Sequence, residues 1–531
     1  MKLEPDLRFA DDRAGALLER ARWAAGAFAT LDRAATLRIA RAVAEAGFGA
    51  ARGYAEWAVR ETGFGVVEHK RRKNELCSRG VLDAYAAQDL VGPVADGGRK
   101  LVRLARPAGV ILALTPSTNP IATLYFKAVL AMLTRNAILV CPHPRAKACS
   151  ADAGELLMRA ARAAGAPDGA IQVVGEPALP FVEALMADPR VDLVLATGGP
   201  AMVAAAYRSG HPALGVGPGN APAFVHETAD LAAAAQRIIA SKSFDNALLC
   251  TSESVVLAHE PVADGLLAAL RAAKAHVCDA GQVERLRGAL WDAGGGFDVE
   301  GALGKDAATV ARLAGFEVPA GTLVLVAPIA RTEPEEPLAR EKLAPVLGFA
   351  RVADAGRAGA AARAMMRQSG RGHSAAFHGA DEAALLAFAA AAPALRVAVN
   401  VPLSLGAAGF GTHLGPTMTV GTGFAGGSAL GGNLRPEHLV NWVEVAFAAE
   451  ASLPAGLGAL DPWRSRPAPP ETAPIPFSPG NPPGGPVDGR RAPVPGLDPE
   501  PAPLAGDDVA ALRAEIRQLV LEELRAAMRA A

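Results

Sequence analysis

Apolar residues recur at helical spacing in the first part of the chain and in short unbroken runs farther on. Through residues 1 to about 90 they follow a helical period in alanine-rich stretches, which predicts a set of helices. From about residue 100 the runs become short and continuous, and the runs at 110–114 and 137–140 predict buried strands. The segments that follow them, 120–131 and 146–164, have helical length and pattern.

Two more apolar runs, at 171–174 and 193–195, are each separated from their neighbours by a helical length. Strands that alternate with helices predict a parallel α/β sheet with right-handed crossovers. A second alternating stretch, from about 220 to 435, predicts a separate unit. We therefore expect an α/β fold with one domain over 1–217 and a catalytic domain over 218–435.

The pattern changes again near residue 460. After a return segment at 436–460, residues 461–505 are dense in proline and glycine, a composition that forms no packed core and predicts a linker. Asp507 and Asp508 then favour the start of a helix over 506–531. One face of that helix is apolar and consists of Val509, Leu512, Ile516, Leu519, Val520, Leu524 and Ala527. A helix this short needs a partner for such a face.

Composition narrows the class of protein. The chain has 531 residues, 51% of them hydrophobic, which is enough for two or three domains. A net charge of −1 gives no basic field for nucleic acid. The N-terminus is too acidic and polar for a signal peptide, and no apolar run is long enough to span a bilayer. We expect a soluble, cytoplasmic protein that binds neither nucleic acid nor membrane.

The cysteines point to free thiols. There are five, an odd number without CxxC pairs or metal-ligand spacing: Cys77, Cys141, Cys149, Cys250 and Cys278. This pattern favours a reducing compartment and predicts no metal site. Cys250 differs in context, because it follows apolar residues that we interpret as a strand and precedes hydroxyl residues. Upstream, the turn at 197–200 (TGGP) follows a predicted strand, and such a turn can bind phosphate through backbone N–H groups, although ordinary turns share the pattern.

Eight segments, taken in order, resemble the acylating branch of the aldehyde dehydrogenase superfamily. They are ETGFGVVE at 61–68, TPSTNP at 115–120, TRNAI at 134–138, PHPRAK at 142–147, ATGGPAMV at 196–203, GVGPGNAP at 215–222, FDNALLCTSE at 244–253 and EKLAPVL at 341–347. The resemblance covers about residues 55–450 and is closest to the aldehyde dehydrogenase half of bifunctional aldehyde/alcohol dehydrogenases, with related microcompartment and sulfoacetaldehyde enzymes. It implies a Rossmann-like cofactor domain, an α/β catalytic domain and an oligomerisation hairpin.

The resemblance also implies catalytic roles. Cys250 corresponds to the nucleophile that adds to an aldehyde and, after hydride loss, holds a thioester. Asn119 corresponds to the amide that stabilises the alkoxide together with the Cys250 backbone N–H; taken alone, it would be a turn residue before Pro120. His373 matches a histidine that could assist coenzyme A as a base near neutral pH, with loop packing as the alternative.

One departure from hydrolytic relatives concerns the acyl acceptor. Those enzymes carry a general-base glutamate for water, and here the segment at 215–220 has glycine at about that place. Without that base the thioester should survive until the thiol of coenzyme A arrives. The product is then an acyl-CoA, and the reaction is reversible. The alternatives are a non-acylating dehydrogenase and an enzyme linked to acyl phosphates.

The resemblance places a nicotinamide dinucleotide against nine residues: Thr115, Pro116, His143, Arg145, Thr197, Gly198, Gly199, Gly217 and Glu341. Glu341 would hold the nicotinamide ribose; its alternative is a solvated charge beside other glutamates. The segment at 141–145 (CPHPR) has no carboxylate to exclude a 2′-phosphate, and Arg145 could accept one. We expect NAD, with NADP open.

Partners follow from the same resemblance. We expect a short-chain aldehyde and coenzyme A as substrates and a homo-oligomer built through the hairpin. The segment at 506–531 resembles encapsulation peptides that bind shell proteins, which would place the protein in the lumen of a bacterial microcompartment. Self-association or folding back of this helix are the alternatives, and a scaffold or cargo adaptor is the alternative of another class. The identity of the aldehyde stays open.

Overall fold

The computed structural model describes residues 7–96, 98, 100–291, 296–297, 300–454 and 456–457. The α-helices are α1 (Leu7–Phe28), α2 (Arg33–Gly49), α3 (Ala51–Thr62), α4 (Val67–Glu75), α5 (Val81–Tyr85), α6 (Pro120–Leu133), α7 (Lys147–Ala163), α8 (Leu179–Ala187), α9 (Pro200–Arg208), α10 (Leu231–Ser243), α11 (Ala263–Ala272), α12 (Ala280–Ala289), α13 (Ala307–Leu313), α14 (Ala355–Met366), α15 (Glu382–Ala391) and α16 (Leu403–Gly406). The strands are β1 (Pro93–Asp96), β2 (Leu101–Pro107), β3 (Val110–Thr115), β4 (Ala137–Pro142), β5 (Ile171–Val173), β6 (Leu193–Thr197), β7 (Ala213–Val216), β8 (Ala221–Val225), β9 (Glu253–His259), β10 (Ala275–Val277), β11 (Val324–Pro328), β12 (Val346–Val352), β13 (Gly372–His378), β14 (Ala394–Val399) and β15 (Val440–Ala446).

The first sheet is parallel and has five strands in the order β5-β4-β3-β6-β7. Every residue of β3 and of β4 is buried, as expected for a parallel sheet covered on both faces. From β3 the chain adds β4 and then β5 on one side. It then crosses to the other side of β3, where it adds β6 and β7. The carboxyl ends of β3 and β6 therefore flank the topological switch point, where open α/β sheets bind ligands.

The second sheet is also parallel and has seven strands in the order β10-β11-β12-β9-β8-β13-β14. Only four residues, Gly217 to Asn220, separate β7 of the first sheet from β8 of the second. Since β7 ends and β8 begins there, the carboxyl edge of the first sheet lies next to the amino edge of the second.

A third, antiparallel sheet joins distant parts of the chain in the order β1-β2-β15. Along β15, Trp442 lies opposite Ala105 and Val445 opposite Val102 of β2. The segment at 436–460, expected to be a return and oligomerisation element, thus contributes the strand that pairs with β2.

The expected α/β class with parallel sheets is confirmed, and the helical start of the chain ends at Tyr85. Two expectations were wrong. Cys250 does not end a strand; it lies in a turn before β9, because three left-handed residues divert the chain there. The alternation of strands and helices stops with α16 at Gly406 rather than near 435, since a glycine-rich stretch of turns follows. The linker and C-terminal helix expected over 461–531 lie outside the described residues.

Among the described residues, no helix is both long and apolar enough to cross a membrane.

Helix α7 packs on β5 without room for a further methyl group. A Cβ on Gly154 would lie 2.0 Å from Val173 Cγ2. We predict that Gly154→Ala lowers the free energy of unfolding by about 1–3 kcal/mol through overpacking, seen as a lower melting temperature. Gly53→Ala is the matched control, because this helical glycine is exposed with open space around it, and alanine there should raise stability by about 0.5–1 kcal/mol. Equal melting of both variants would contradict the prediction.

Candidate active site

Cys250 is presented by a backbone turn of high conformational energy. It follows a short 3₁₀ turn, Phe244–Ala247, and precedes β9. Asp245, Asn246 and Ala247 all adopt left-handed backbone conformations, with φ of 51°, 54° and 64°. Such conformations cost about 1–2 kcal/mol for each residue with a side chain. The turn must therefore be held by contacts from elsewhere in the chain.

Asp245 supplies those contacts and is fully buried. Its carboxylate accepts hydrogen bonds from the Val66 backbone N–H (2.7 Å), from Lys70 Nζ (3.1 Å) and from Lys73 Nζ. Its own backbone N–H donates to His69 Nδ1 at 2.9 Å. Burial opposes the charged carboxylate, but the two ammonium groups outweigh it and lower the pKa of Asp245. Helix α4 and the residue before it thus fix the turn that carries Cys250.

Lys73 connects the Asp245 carboxylate to the side chain of Asn119. Its buried ammonium also donates to Asn119 Oδ1, and burial lowers the pKa of Lys73 to about 8 against the pull of Asp245. The Asn119 Nδ2 group consequently points the other way, donating to Leu248 O at 3.1 Å and to Thr118 Oγ1 at 3.2 Å. An ammonium on the amide oxygen fixes its orientation and strengthens its N–H groups as donors. Asn119 therefore lies against the Cys250 turn, and its side chain does not cap α6.

Gly219 lies between Glu341 and the backbone of Cys250. Its Oε1 accepts a hydrogen bond from the Gly219 N–H at 2.8 Å. A Cβ on Gly219 would lie 1.9 Å from Cys250 O and 3.2 Å from Glu341 Oε1, so only glycine fits there. Burial raises the pKa of Glu341 to about 7, while the Gly219 bond and Lys242 oppose the shift. The half-buried Glu341 carboxyl is thus bound to the glycine segment, and its role on the nicotinamide ribose stays a prediction.

The Cys250 thiol is half-buried and protonated at neutral pH in this geometry. Burial, and then the charge of Glu341, raise its pKa to about 12, while Arg396 favours the thiolate. Arg396 is buried and donates to His373 O at 3.0 Å and to Gly421 O at 2.5 Å. Burial lowers the pKa of Arg396 to about 10, so it is a cation at neutral pH.

His373 is placed differently from the expected base. The ring is fully buried at the start of β13, with Nδ1 3.1 Å from Ser374 Oγ, and Nε2 has no partner among the described residues. Burial and the Arg396 charge lower the pKa of His373 to about 3. These surroundings disfavour the protonated ring, and the role of His373 as a base for coenzyme A stays a prediction.

The residues expected to hold the dinucleotide lie on the carboxyl edge of the first sheet. Thr115 and Thr197 end β3 and β6; Thr115 Oγ1 is buried without a partner among the described residues, and Thr197 Oγ1 lies 3.1 Å from Thr419 Oγ1. Gly199 precedes α9 without a side-chain cap, and open space surrounds the position that its Cβ would take. An uncapped helix N-terminus beside an unpaired hydroxyl fits a dinucleotide phosphate. Pro116 follows Thr115, and Gly217, also in open space, follows β7.

The segment after β4, where we expect the adenosine of the dinucleotide, contains His143 and Arg145. The Arg145 backbone N–H donates to His143 Nδ1 at 3.1 Å, and the Arg145 side chain forms an ion pair with Glu300. Both members of the pair are exposed, with side-chain exposures of 40% and 76%, so the pair itself contributes little stability. A ligand phosphate could replace Glu300, and the choice between NAD and NADP stays a prediction.

Three functional candidates were missed by sequence reasoning: Lys73, Asp245 and Arg396. The i, i+3 spacing of Lys70 and Lys73 puts both ammonium groups on one face of α4, a signal that could have been used. Asp245 lies in the segment FDNALLCTSE but was not singled out, and Arg396 gave no signal, because their partners are distant in sequence.

In the part of the chain that the structure describes, one group of side chains has the composition of a metal site. Ligand atoms of His226, Glu227 and His259 lie within 4.8 Å of one another, at the opposite end of β9 from Cys250. The two imidazole rings are nearly parallel (22°) and 5.2 Å apart, so their in-plane lone pairs do not converge. We assign no metal to this group.

Comparison with known proteins agrees with this geometry. The model of the aldehyde dehydrogenase family matches residues 9–415. The bifunctional aldehyde-alcohol dehydrogenase of Escherichia coli K12 is 35% identical over 445 residues, which cover 82% of this chain and 50% of that protein. The chain thus spans about half the length of this curated relative.

Two solved structures resemble the fold. An acetylating aldehyde dehydrogenase from Geobacillus thermoglucosidasius superposes with a TM-score of 0.82 at 34% identity, covering 85% of this chain and 99% of that one. A propionaldehyde dehydrogenase from the fucose-utilisation microcompartment of Clostridium phytofermentans gives 0.74 at 28% identity, covering 82% and 97%.

We predict that Lys73→Met lowers kcat for aldehyde-dependent NADH formation by about 10²-fold, because Asn119 loses the ammonium that orients its amide. The KM for the dinucleotide should change little, since the hydrogen bonds of Lys73 among the described residues go to Asn119 and Asp245 rather than to the expected dinucleotide edge. The matched control is Lys70→Met, which removes a second ammonium from Asp245 but no contact with Asn119. Equal losses of kcat in both variants would mean that Lys73 only anchors the turn.

The match of the family model extends over most of the chain and includes both parallel sheets. Within it, the cysteine turn, the buried asparagine and the glycine turn before α9 lie at the junction of the two sheets. By sequence and by fold, the chain belongs to the aldehyde dehydrogenase family.

Proposed function

We propose that this protein oxidises a short-chain aldehyde to an acyl-CoA through a thioester on Cys250, with a nicotinamide dinucleotide as the oxidant. One observation carries the proposal. The glycine segment before β8 touches the Cys250 turn and offers no carboxylate side chain at the place where hydrolytic relatives activate water. The printed names of the Geobacillus structure and of other relatives as acetylating enzymes support the same acyl acceptor.

The first half of the reaction makes the thioester. Cys250 attacks the aldehyde carbon as a thiolate, and the Arg396 charge favours that anion. The alkoxide that forms is stabilised by the Asn119 amide, held in place by Lys73, together with the Cys250 backbone N–H. A dinucleotide bound along Thr115, Gly198 and Gly199 supplies the hydride acceptor. Glu341 would hold its nicotinamide ribose.

The second half transfers the acyl group to coenzyme A. A thioester on Cys250 resists water when no base activates water, and a thiol attacks it readily. Because one thioester replaces another, the free-energy change is small and the reaction runs in both directions. NAD is the proposed dinucleotide. NADP is the alternative, because a 2′-phosphate could replace the exposed Glu300 carboxylate in the ion pair with Arg145.

The same proposal extends to assembly and location. The strand β15 and its partner β2 form the sheet that would mediate a homo-oligomer. The proline-rich linker at 461–505 and the apolar face predicted over 506–531 support docking to microcompartment shell proteins. One structural neighbour comes from such a compartment. An aldehyde-producing pathway benefits from a shell that retains a volatile, reactive intermediate, so we propose the lumen as the location.

We predict that the purified protein forms NADH from short-chain aldehydes only when coenzyme A is present, because the thioester is released by a thiol. Absorbance at the NADH band, with separate addition of coenzyme A, phosphate or neither, measures this directly.

The control is Cys250→Ala, which should abolish NADH formation while melting at the same temperature. Turnover without coenzyme A that yields the free acid would show a non-acylating enzyme. A requirement for phosphate would indicate an acyl-phosphate product.

We also predict that Leu512→Glu combined with Leu519→Glu reduces the fraction of full-length protein that sediments with assembled shells in cells that make shell proteins. The added charges destroy the apolar face that needs a partner. Gln518→Glu adds the same kind of charge on the polar side and should leave sedimentation unchanged. Equal recovery of all three proteins would argue against docking through this helix.

A further inference from the structure

Helix α6 contains a single charged residue in an otherwise apolar sequence. All 14 residues of the helix, PIATLYFKAVLAML, are buried, and Lys127 is the charged one. Its side chain is fully buried, and its hydrogen bonds among the described residues go to Leu114 O at 2.8 Å and Leu195 O at 2.9 Å. Burial of an ammonium without a carboxylate partner is unfavourable unless other groups compensate for it.

The two carbonyl groups that Lys127 binds lie at the topological switch point of the first sheet. They belong to the neighbouring strands β3 and β6, close to the carboxyl end of each. Leu114 immediately precedes Thr115, and Leu195 precedes Thr197 by two residues, which is about 7 Å along a strand. The Lys127 ammonium therefore lies just inside the edge where we expect the dinucleotide.

We propose that Lys127 supplies the positive charge that attracts the diphosphate of the dinucleotide, a role that rests on the proposed dinucleotide binding. Lys127 acts from inside the fold and does not touch the ligand, so it is not a catalytic residue. Its charge adds to the partial positive charge of the backbone N–H groups in the turn before α9. The ligands that it favours are nucleotides with a diphosphate.

Other features of this edge are consistent with an anionic ligand. Thr115 Oγ1 is buried without a partner among the described residues, and Gly199 precedes α9 without a side-chain cap. Arg145 is also a cation of this edge, but it is exposed and paired with Glu300. Water, salt and the paired carboxylate weaken the field of such a cation, whereas a buried charge is screened much less.

The ionisation of Lys127 depends on its surroundings. Burial lowers the pKa of Lys127 to about 7. The negative charges of a bound diphosphate favour the ammonium form and so compensate for its burial. A unit charge about 10 Å from the diphosphate changes the affinity by about tenfold when the effective dielectric constant is about 20.

Ligands with and without a diphosphate test this role in the full-length protein. The fluorescence of NADH measures its own binding, and its displacement measures the binding of ADP-ribose and adenosine, at about pH 6.5, below the pKa of Lys127. For Lys127→Met we expect the Kd of NADH and of ADP-ribose to rise about tenfold, because the buried charge is lost. The Kd of adenosine, which has no phosphate, should change by less than about twofold.

Two further variants separate the charge from a structural role. Lys127→Gln keeps an N–H donor for the carbonyl groups but no charge, and it should lose the same affinity for ADP-ribose. Arg135→Met removes another buried cation, which lies before β4 at the amino edge of the sheet and donates to the carbonyls of Ala29, Leu31 and Ala105. Its three Kd values should match those of the unmodified protein, even where its melting temperature falls.

Three results would overturn the role of Lys127. Equal weakening of ADP-ribose and adenosine in Lys127→Met would mean that the lysine only supports the strand ends, and unchanged Kd values would leave it a role in packing α6. A loss in Lys127→Met but not in Lys127→Gln would assign the effect to hydrogen bonding. An unmodified protein that binds neither NADH nor ADP-ribose would instead remove the proposed dinucleotide chemistry, and the role of Lys127 with it.

Discussion

The buried carboxylate of Asp245 ties the N-terminal helices to the turn that presents Cys250. Three successive left-handed residues make this turn costly, and the contacts to Val66, Lys70 and Lys73 offset that cost. Removing one partner from a buried ion pair typically costs about 3–5 kcal/mol because it leaves an uncompensated charge. Since Lys73 also holds the Asn119 amide, the expected nucleophile and its expected oxyanion donor depend on one cluster of charges.

The short connection between the two parallel sheets, Gly217 to Asn220, is the second constraint on the site. Four residues carry the chain from the carboxyl edge of the first sheet to the amino edge of the second. The threonines and glycines expected to bind a dinucleotide and the cysteine turn are thereby brought to one junction. Gly219 allows this connection to pass close to Cys250 O, where any side chain would collide. The Gly219 N–H donates a hydrogen bond to Glu341. The geometry of the junction thus also brings in a carboxyl group from a distant loop.

Burial then sets the ionisation of the groups at this junction, and residue type alone would mislead. The Cys250 thiol and the Glu341 carboxyl both hold protons more tightly than in water, whereas His373 loses its proton far more easily. Burial thus shifts the pKa of His373 down and that of Glu341 up, in opposite directions from their ordinary values. The distribution of charge follows from desolvation and from Arg396 and Lys242 nearby.

The sequence by itself determined the helical start, the strands β3 to β6 of the first sheet and the glycine turn before α9, because period and local turn chemistry encode these features directly. It also singled out Cys250, Asn119 and Glu341 through the order of motifs. The left-handed turn before Cys250, the buried cluster of Lys70, Lys73 and Asp245, and the contact of Glu341 with Gly219 were decided only by the tertiary structure. These features join residues roughly 120 to 180 positions apart, and desolvation and distance, which set their energies, exist only once the chain has folded.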